Sequence, residues 1–292
     1  MNYRSVIIGL LARDCKASLL RNIPRIERLG SHFADYHVIA VENDSVDGTR
    51  EVLLDWAKEN DYVIVDSFID HSLRRTDSGF ERISHMTNLR NRLLEDIRKQ
   101  PAPDLVMMID VDIEDFDVKG VVDVITHAPN DWGALFANGR CMLPNHKFLN
   151  AQYDQYAYMA CDEELSDMNC NRFSRRHLLK MGMEVNKAVL TCDYYPVKSA
   201  FGGFGIYRYE AIKDLKYQTV MIDDFHSKAY CEHMPFHIGI IEQGYKNYVC
   251  RSMIVNSGVL KVKPVVAFML YYFPQLHAAL CDVSGFIRKK WR

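Results

Sequence analysis

The strongest constraint on this chain is the alternation, through its N-terminal part, of short apolar runs with amphipathic stretches. "SVIIGLLA" is followed by a helical pattern over Lys16 to Leu29, then "YHVIAVEN", a second helical pattern over Gly48 to Asn60, and "YVIVDSF". A further helix carries Leu89, Leu93 and Ile97 on one side; Pro101 and Pro103 end it, and the run "LVMMID" follows. Strands without polar alternation are buried on both faces, and helices between them supply the cover, so the expected fold class is α/β, with a mixed, mostly parallel sheet flanked by helices. Ligands of such sheets collect at the carboxyl ends of the strands. The polar residues at those ends are therefore the candidates: Arg13 and Asp14, Glu42 to Asp44, Asp66, and Asp110 to Asp112.

From about Asp131 the rhythm changes. "WGALFANG" is strand-like, residues Asn145 to Arg176 are irregular and rich in aromatic and acidic side chains, and "VKSAFGGFGIYR" follows. There is no internal repeat, and 292 residues suffice for one domain of two unequal halves. The 36 basic and 38 acidic residues leave a net charge of −2, which excludes a general attraction to nucleic acid. The eight cysteines include no C-x-x-C pair, so a zinc cluster is not indicated, and scattered thiols fit a reducing compartment. Val6 to Ala12 runs straight into Arg13 and Asp14, which reads as a first strand and not a leader; the expectation is a cytoplasmic protein.

The run "MMIDVDIEDFD" ends a buried strand in acid. Asp110 and Asp112 straddle one residue, and in an extended backbone residues two apart point the same way, so both carboxylates can face one cation. Mg2+ or Mn2+ suits such a pair, because these ions take oxygen ligands, keep waters and bridge to substrate phosphates. A solvated loop is the competing reading. An EF-hand is not, because Asp115 stands where the turn-forming glycine belongs. "VENDSVDGT" offers Glu42, Asn43 and Asp44 as acceptors for ribose hydroxyls or a base, against a reading as turn and cap chemistry. In "ERISHMTNLRNRLL", Arg82, Arg90 and Arg92 add cations whose forks suit a pyrophosphate; an exposed basic helix face is the alternative, preferred for Arg92.

The order "VENDSVDGT", "NLRNRLL" and an apolar strand ending "MIDVD" resembles the GT-A class of nucleotide-sugar glycosyltransferases, and within it the fungal capsule-associated mannosyltransferases and bacterial proteins like them. The resemblance runs from about Ser5 to Asn256 and implies a Rossmann-like GT-A sheet. It implies a nucleotide-binding half over 1–117, an acceptor half over 118–250 and a tail over 251–292. By it, Asp110 and Asp112 hold Mn2+ or Mg2+ on the diphosphate of a GDP- or UDP-linked donor, Glu42 meets the nucleoside, and Arg90 and Asn91 lie near the donor, with Arg13, Asn43, Asp44 and Asp66 as further donor contacts.

"YDQYAY" resembles the aromatic and acidic segment near the sugar site, with Asp154 the first candidate and Tyr153, Tyr156 and Tyr158 as stacking faces; a surface loop packed by its own tyrosines is the alternative. The glycines Gly202, Gly203 and Gly205 allow close approach of backbone to a substrate. They precede "YCEHMPFHIGII", where the resemblance implies that Glu232 is a catalytic carboxylate: a base if the enzyme inverts, a positioning group if it retains. His233 and His237 share one helical face and are candidates for the third metal ligand, His233 first; a packed core position is the competing reading.

The tail has an apolar run too short to cross a bilayer, then Arg288, Lys289, Lys290 and Arg292. It fits either a docked last helix or a peripheral membrane contact. The expected activity is metal-dependent transfer of a sugar, mannose from GDP-mannose first, to a hydroxyl of a glycan or lipid-linked glycan, with no nucleic-acid partner. The alternatives are a carbohydrate- or nucleotide-binding module without turnover and a sugar-phosphate nucleotidyltransferase. The latter should carry a glycine-rich, basic signature after the first strand, where this chain reads "GLLARDCK".

Overall fold

The computed structural model of the chain describes residues 3–70, 79–143, 146–167, 175–222, 228–259 and 273. The N-terminal order is β1 (Ser5–Ala12), α1 (Lys16–Gly30), β2 (Asp35–Asn43), α2 (Thr49–Glu59), β3 (Val63–Phe68), α3 (Phe80–Arg98) and β4 (Leu105–Asp110), as the periodicity predicts. Next come β5 (Asp115–Phe116), α4 (Val118–His127), β6 (Trp132–Leu143), β7 (His146–Gln152), short 3-10 turns, α5 (Arg175–Thr191), β8 (Tyr194–Val197), β9 (Phe204–Arg208), α6 (Tyr209–Ile212), α7 (His233–Glu242) and β10 (Lys246–Val259). They build one ten-stranded sheet in the order β3-β2-β1-β4-β9-β6-β10-β5, with β7 paired to β6 and β8 to β10. The longest pairings, β6 with β10, β1 with β2, β1 with β4 and β2 with β3, are parallel. β9 inserts antiparallel between β4 and β6 and joins the halves.

Alternate residues of each strand feed two cores. Val6, Ile8 and Leu10 of β1, with Leu105, Met107 and Ile109 of β4, pack toward α1 and α4; Ile7, Val106 and Met108 pack toward α3, α5 and α7. Continuous apolar runs are thereby explained: both faces are covered, and each side chain has its own layer. α3 lies so close on β1 that a Cβ on Gly9 would sit 3.0 Å from the Leu93 side chain.

Two sequence expectations change. The stretch from Asn145 to Arg176 is not irregular throughout, because β7 pairs antiparallel with β6 there. The sheet also crosses the expected boundary at residue 250, since β10 continues to Val259. The rest of the tail, with its aromatic run and basic end, lies outside the described residues apart from position 273, as does the "DDFHS" segment. Among the described residues no helix is long and apolar enough to cross a membrane.

The packing of α4 on β10 yields a stability prediction. A Cβ on Gly120 would come 2.0 Å from the Ser252 carbonyl oxygen, a backbone atom that cannot swing aside. Gly to Ala inside a helix gains about 1 kcal/mol in propensity, but this overlap costs more. Gly120→Ala is expected to lose roughly 1–3 kcal/mol in urea unfolding; a stabilised variant would show that α4 is free to lift off β10.

Candidate active site

The carboxyl ends of β1, β2 and β4 open into a cleft of 760 Å³ on the α3 face of the sheet. The chain reverses there through Asp14, Asp44 and Asp154, all in the left-handed backbone region with φ of 48°, 54° and 57°. Such conformations carry a cost outside glycine and persist where surrounding bonds fix them. Here the Asp14 carboxylate accepts from Val46 N at 2.8 Å, Ser45 Oγ accepts from Asp14 N at 3.2 Å, and the Asp44 carboxylate accepts from Asp70 N at 2.9 Å. The loops after β1, β2 and β3 therefore brace one another.

At the cleft floor lies Arg90, 5% exposed. Its Nε donates to Glu232 Oε1 at 2.8 Å, and a terminal nitrogen stands 4.0 Å from Asp110 Oδ1. Its guanidinium lies 5.2 Å from the Phe201 ring centroid and 5.8 Å from that of Tyr217. Burial disfavours the cation, but Glu232, Tyr217 and Asp110 more than offset it, so its pKa is raised and it stays charged. Glu232, 4% exposed, stands at the start of α7, as the sequence predicts, with its carboxylate turned to Arg90 and not to the helix's own N–H groups. β4 delivers Asp110 to the same spot, and the Gly202–Gly203 turn fixes it by accepting from Asp110 N at 2.9 Å through Gly203 O. The glycines thus serve the protein's own backbone: a Cβ on Gly202 would meet Ala137 O at 2.4 Å.

Asp112 and Asp154 line the cleft with Asp110. Burial first, then Asp112, Asp154 and Glu232, push the Asp110 carboxyl well above its ordinary range, against the pull of Arg90. Asp112 is exposed to the cleft, yet the protein around it limits solvation enough to raise its carboxyl too. Burial and the charge of Glu232 carry Asp154 up to about 7, although Arg90 and the backbone N–H groups of Gly202 and Ala157 pull it down. Crowded carboxylates that resist ionisation, all oxygen donors and open to the cleft, are suited to Mg2+ or Mn2+, which would offset their repulsion. Asp110 and Asp112, expected from the sequence to face one cation, both line the cleft. Among the described residues no group of three His, Cys, Asp or Glu side chains, with or without His233, stands ready as a metal cluster. His233 is buried against Phe201, and His237 is a core residue bonded to Ser199 and Tyr207.

Arg13, Asn43, Arg90, Asp110, Asp112, Asp154, Glu232 and His233 all line this one cleft. Glu42, Asp66 and Asn91 do not. Glu42 is fully buried on the opposite face, where its carboxylate accepts from Ser45 N, Arg50 Nε and Ser67 Oγ at 2.9, 2.8 and 2.5 Å. Burial opposes its charge, but these bonds outweigh it and lower its pKa. Asp66 pairs with Arg92, and that bond holds its carboxyl low. Asn91 clamps the Tyr217 backbone, donating to its carbonyl at 3.0 Å and accepting from its N–H at 2.8 Å. Asp44 braces its loop, its carboxylate on Asp70 N.

Arg82, one of the cations expected to suit a pyrophosphate, lines the cleft too, as do Phe201, Lys228 and Cys231, which the sequence does not mark. Arg82 stands two helical turns before Arg90 and shares its face.

The chain was compared with known proteins. No family model and no curated protein sequence matches it. Among solved structures, the mannosyltransferase of Pyrobaculum calidifontis in complex with GDP-mannose and Mn2+ is similar at a TM-score of 0.50 and 12% identity, over 92% of this chain and 62% of its own. The chain has the GT-A fold. It spans 62% of the length of that mannosyltransferase. The glucosyl-3-phosphoglycerate synthase of Mycobacterium tuberculosis, solved with Mn2+, uridine diphosphate and phosphoglyceric acid, matches at a TM-score of 0.47 and 13% identity, over 91% of this chain and 78% of its own. In this GT-A chain the acidic strand end is β4, adjoining β1 at the centre of the parallel half.

The buried pair gives one prediction and the raised carboxyls another. Arg90→Met strands Glu232 and is expected to cost about 3–5 kcal/mol in urea unfolding, most of it recovered when Glu232→Met is added. An additive double variant would show that the two side chains do not depend on each other. Asp154 binds its proton more tightly in the folded state, so stability is full below the unfolded value of 3.8 and is lost as pH rises to about 7. Metal-free protein should melt several degrees lower at pH 8 than at pH 5, less steeply in Asp154→Asn, and Mn2+ should restore stability only at the higher pH.

Proposed function

We propose that this chain is a metal-dependent glycosyltransferase that moves a sugar from a nucleotide diphosphate donor to a hydroxyl of a glycan or lipid-linked glycan, with mannose from GDP-mannose the first donor to test. The observation that carries this reading is the pair of strand-end carboxylates, Asp110 and Asp112, in a cleft of 760 Å³ whose floor is the buried Arg90–Glu232 pair. Asp110 and Asp112 would hold Mn2+ or Mg2+. Bound there, the ion supplies neutralising charge for the departing nucleoside diphosphate.

The remaining roles belong to side chains. Arg13, at the end of β1, and Arg82, on α3, bring positive charge to the cleft walls and suit the diphosphate oxygens. Asn43 continues β2 on the cleft side and offers an amide to the nucleoside. Glu232 already accepts from Arg90, which fixes its carboxylate in place and suits it to positioning a substrate. Asp154, with a pKa of about 7, is matched to moving a proton near neutral pH.

Mn2+-dependent hydrolysis of GDP-mannose, and of UDP-glucose in parallel, is the direct assay. Asp112→Ala is expected to lose at least about 100-fold in rate through loss of charge stabilisation, with its fold intact by circular dichroism. Equal rates in variant and wild type would remove the metal role. No turnover of either donor, with binding retained, would turn the reading to a binding module.

A further inference from the structure

Buried polar atoms in folded proteins almost always have partners, and one left without is costly. His233 is 2% exposed, and among the described residues neither of its ring nitrogens has a hydrogen-bond partner. The contrast lies one helical turn away. His237, equally buried, has Nδ1 at 2.9 Å from Ser199 Oγ and Nε2 at 3.0 Å from Tyr207 OH. The same helix satisfies one imidazole completely and leaves its neighbour buried without a partner, and the unpartnered residue lines the cleft.

What His233 can offer is set by its packing. Phe201 stacks on the ring at 4.3 Å and 21°, and His237 at 5.1 Å and 25°, while Tyr217 meets it edge-on at 5.6 Å. With rings against it, the unmet polar capacity of the residue lies at its two ring nitrogens. Burial, then Arg90 and His237, hold its pKa well below the ordinary range, so the ring is neutral, with one N–H and one lone pair. A phosphate oxygen could use only the first and a cation only the second. A hydroxyl can answer either one, accepting from the N–H or donating to the lone pair, though not both at once, because the two nitrogens point to different sides of the ring. A cation is further disfavoured by the Arg90 charge that already depresses the ring's proton affinity.

Position narrows the hydroxyl. His233 follows Glu232, whose partner Arg90 stands 4.0 Å from Asp110. A sugar bonded to a diphosphate held at Asp110 and Asp112 lies beside that end of the cleft. We propose that His233 hydrogen-bonds a hydroxyl of the donor's sugar ring and takes no part in holding the metal. This rests on the reading of the cleft as a nucleotide-sugar site.

The test is calorimetric titration of wild type and His233→Phe with GDP-mannose and with GDP, in saturating Mn2+, together with a Mn2+ titration. His233→Phe keeps the stacking but not the nitrogens. It is expected to weaken GDP-mannose about tenfold, the worth of one good hydrogen bond, while GDP affinity and the Mn2+ midpoint stay unchanged. His233→Asn, which retains a polar group, should recover part of the loss. If His233→Phe does not fold, His233→Met, without a ring nitrogen, makes the same comparison. Unchanged GDP-mannose binding in a folded variant, an equal loss for GDP, or a raised Mn2+ requirement overturns the proposal. Wild type that binds neither GDP-mannose nor GDP overturns the function itself and this inference with it; a binding wild type with an unaffected variant overturns the inference alone.

Discussion

A guanidinium closed off from water must find its counter-charges inside the protein, and the architecture around the cleft follows from where Arg90 is buried. α3 brings the cation, β4 brings Asp110, and the start of α7 brings Glu232. Phe201 and Tyr217 shield what remains. Breaking a buried pair of this kind is far more costly than never having built it, so its retention at the floor of a cleft is weak evidence for stability and better evidence for a demand on charge placement. Such a floor is preorganised: its dipoles and charges are set before a ligand arrives.

The carboxylates above it are held in the opposite regime. Asp110, Asp112 and Asp154 are all shifted toward retaining protons, with burial the leading cause in each. The left-handed turns at Asp14, Asp44 and Asp154 are further local costs beside the same cleft. Local penalties that cluster at one place, while the two cores beneath are conventionally packed, are the signature of a site shaped for something other than its own stability.

Much of this was legible in the sequence. The first four strands and three helices follow from apolar periodicity, and the chemistry at the strand ends follows from the rule that ligands gather there. The misplacement of Glu42 had a readable cause. On β2, Ile39 and Val41 face the core under α3, so Asn43 continues onto the cleft side while Glu42 must point the other way. Parity was present in "YHVIAVEN"; the face on which the cleft would open was not, because that depends on β9 and α7 far along the chain. For the same reason the partners of Asn91 and Asp66 were hidden: Asn91 bonds a backbone 126 positions away. Glycines Gly202 and Gly203 were recognised as close-approach residues, but only three-dimensional packing shows that what approaches is β6 and Asp110.

The clamp between Asn91 and Tyr217 bears on how the molecule comes into being. Consecutive residues of α3 are fastened to the C-terminal half across 142 positions at Arg90 and 126 at Asn91. The N-terminal sheet can form from near-neighbour contacts, but the helix on its face cannot settle into final register until Tyr217 and Glu232 have been made and docked. Until then a cation waits beside half-covered apolar strands, a state that folding must pass through quickly or have shielded. The cleft is not complete until the segment carrying Tyr217 and Glu232 has been made and docked on α3.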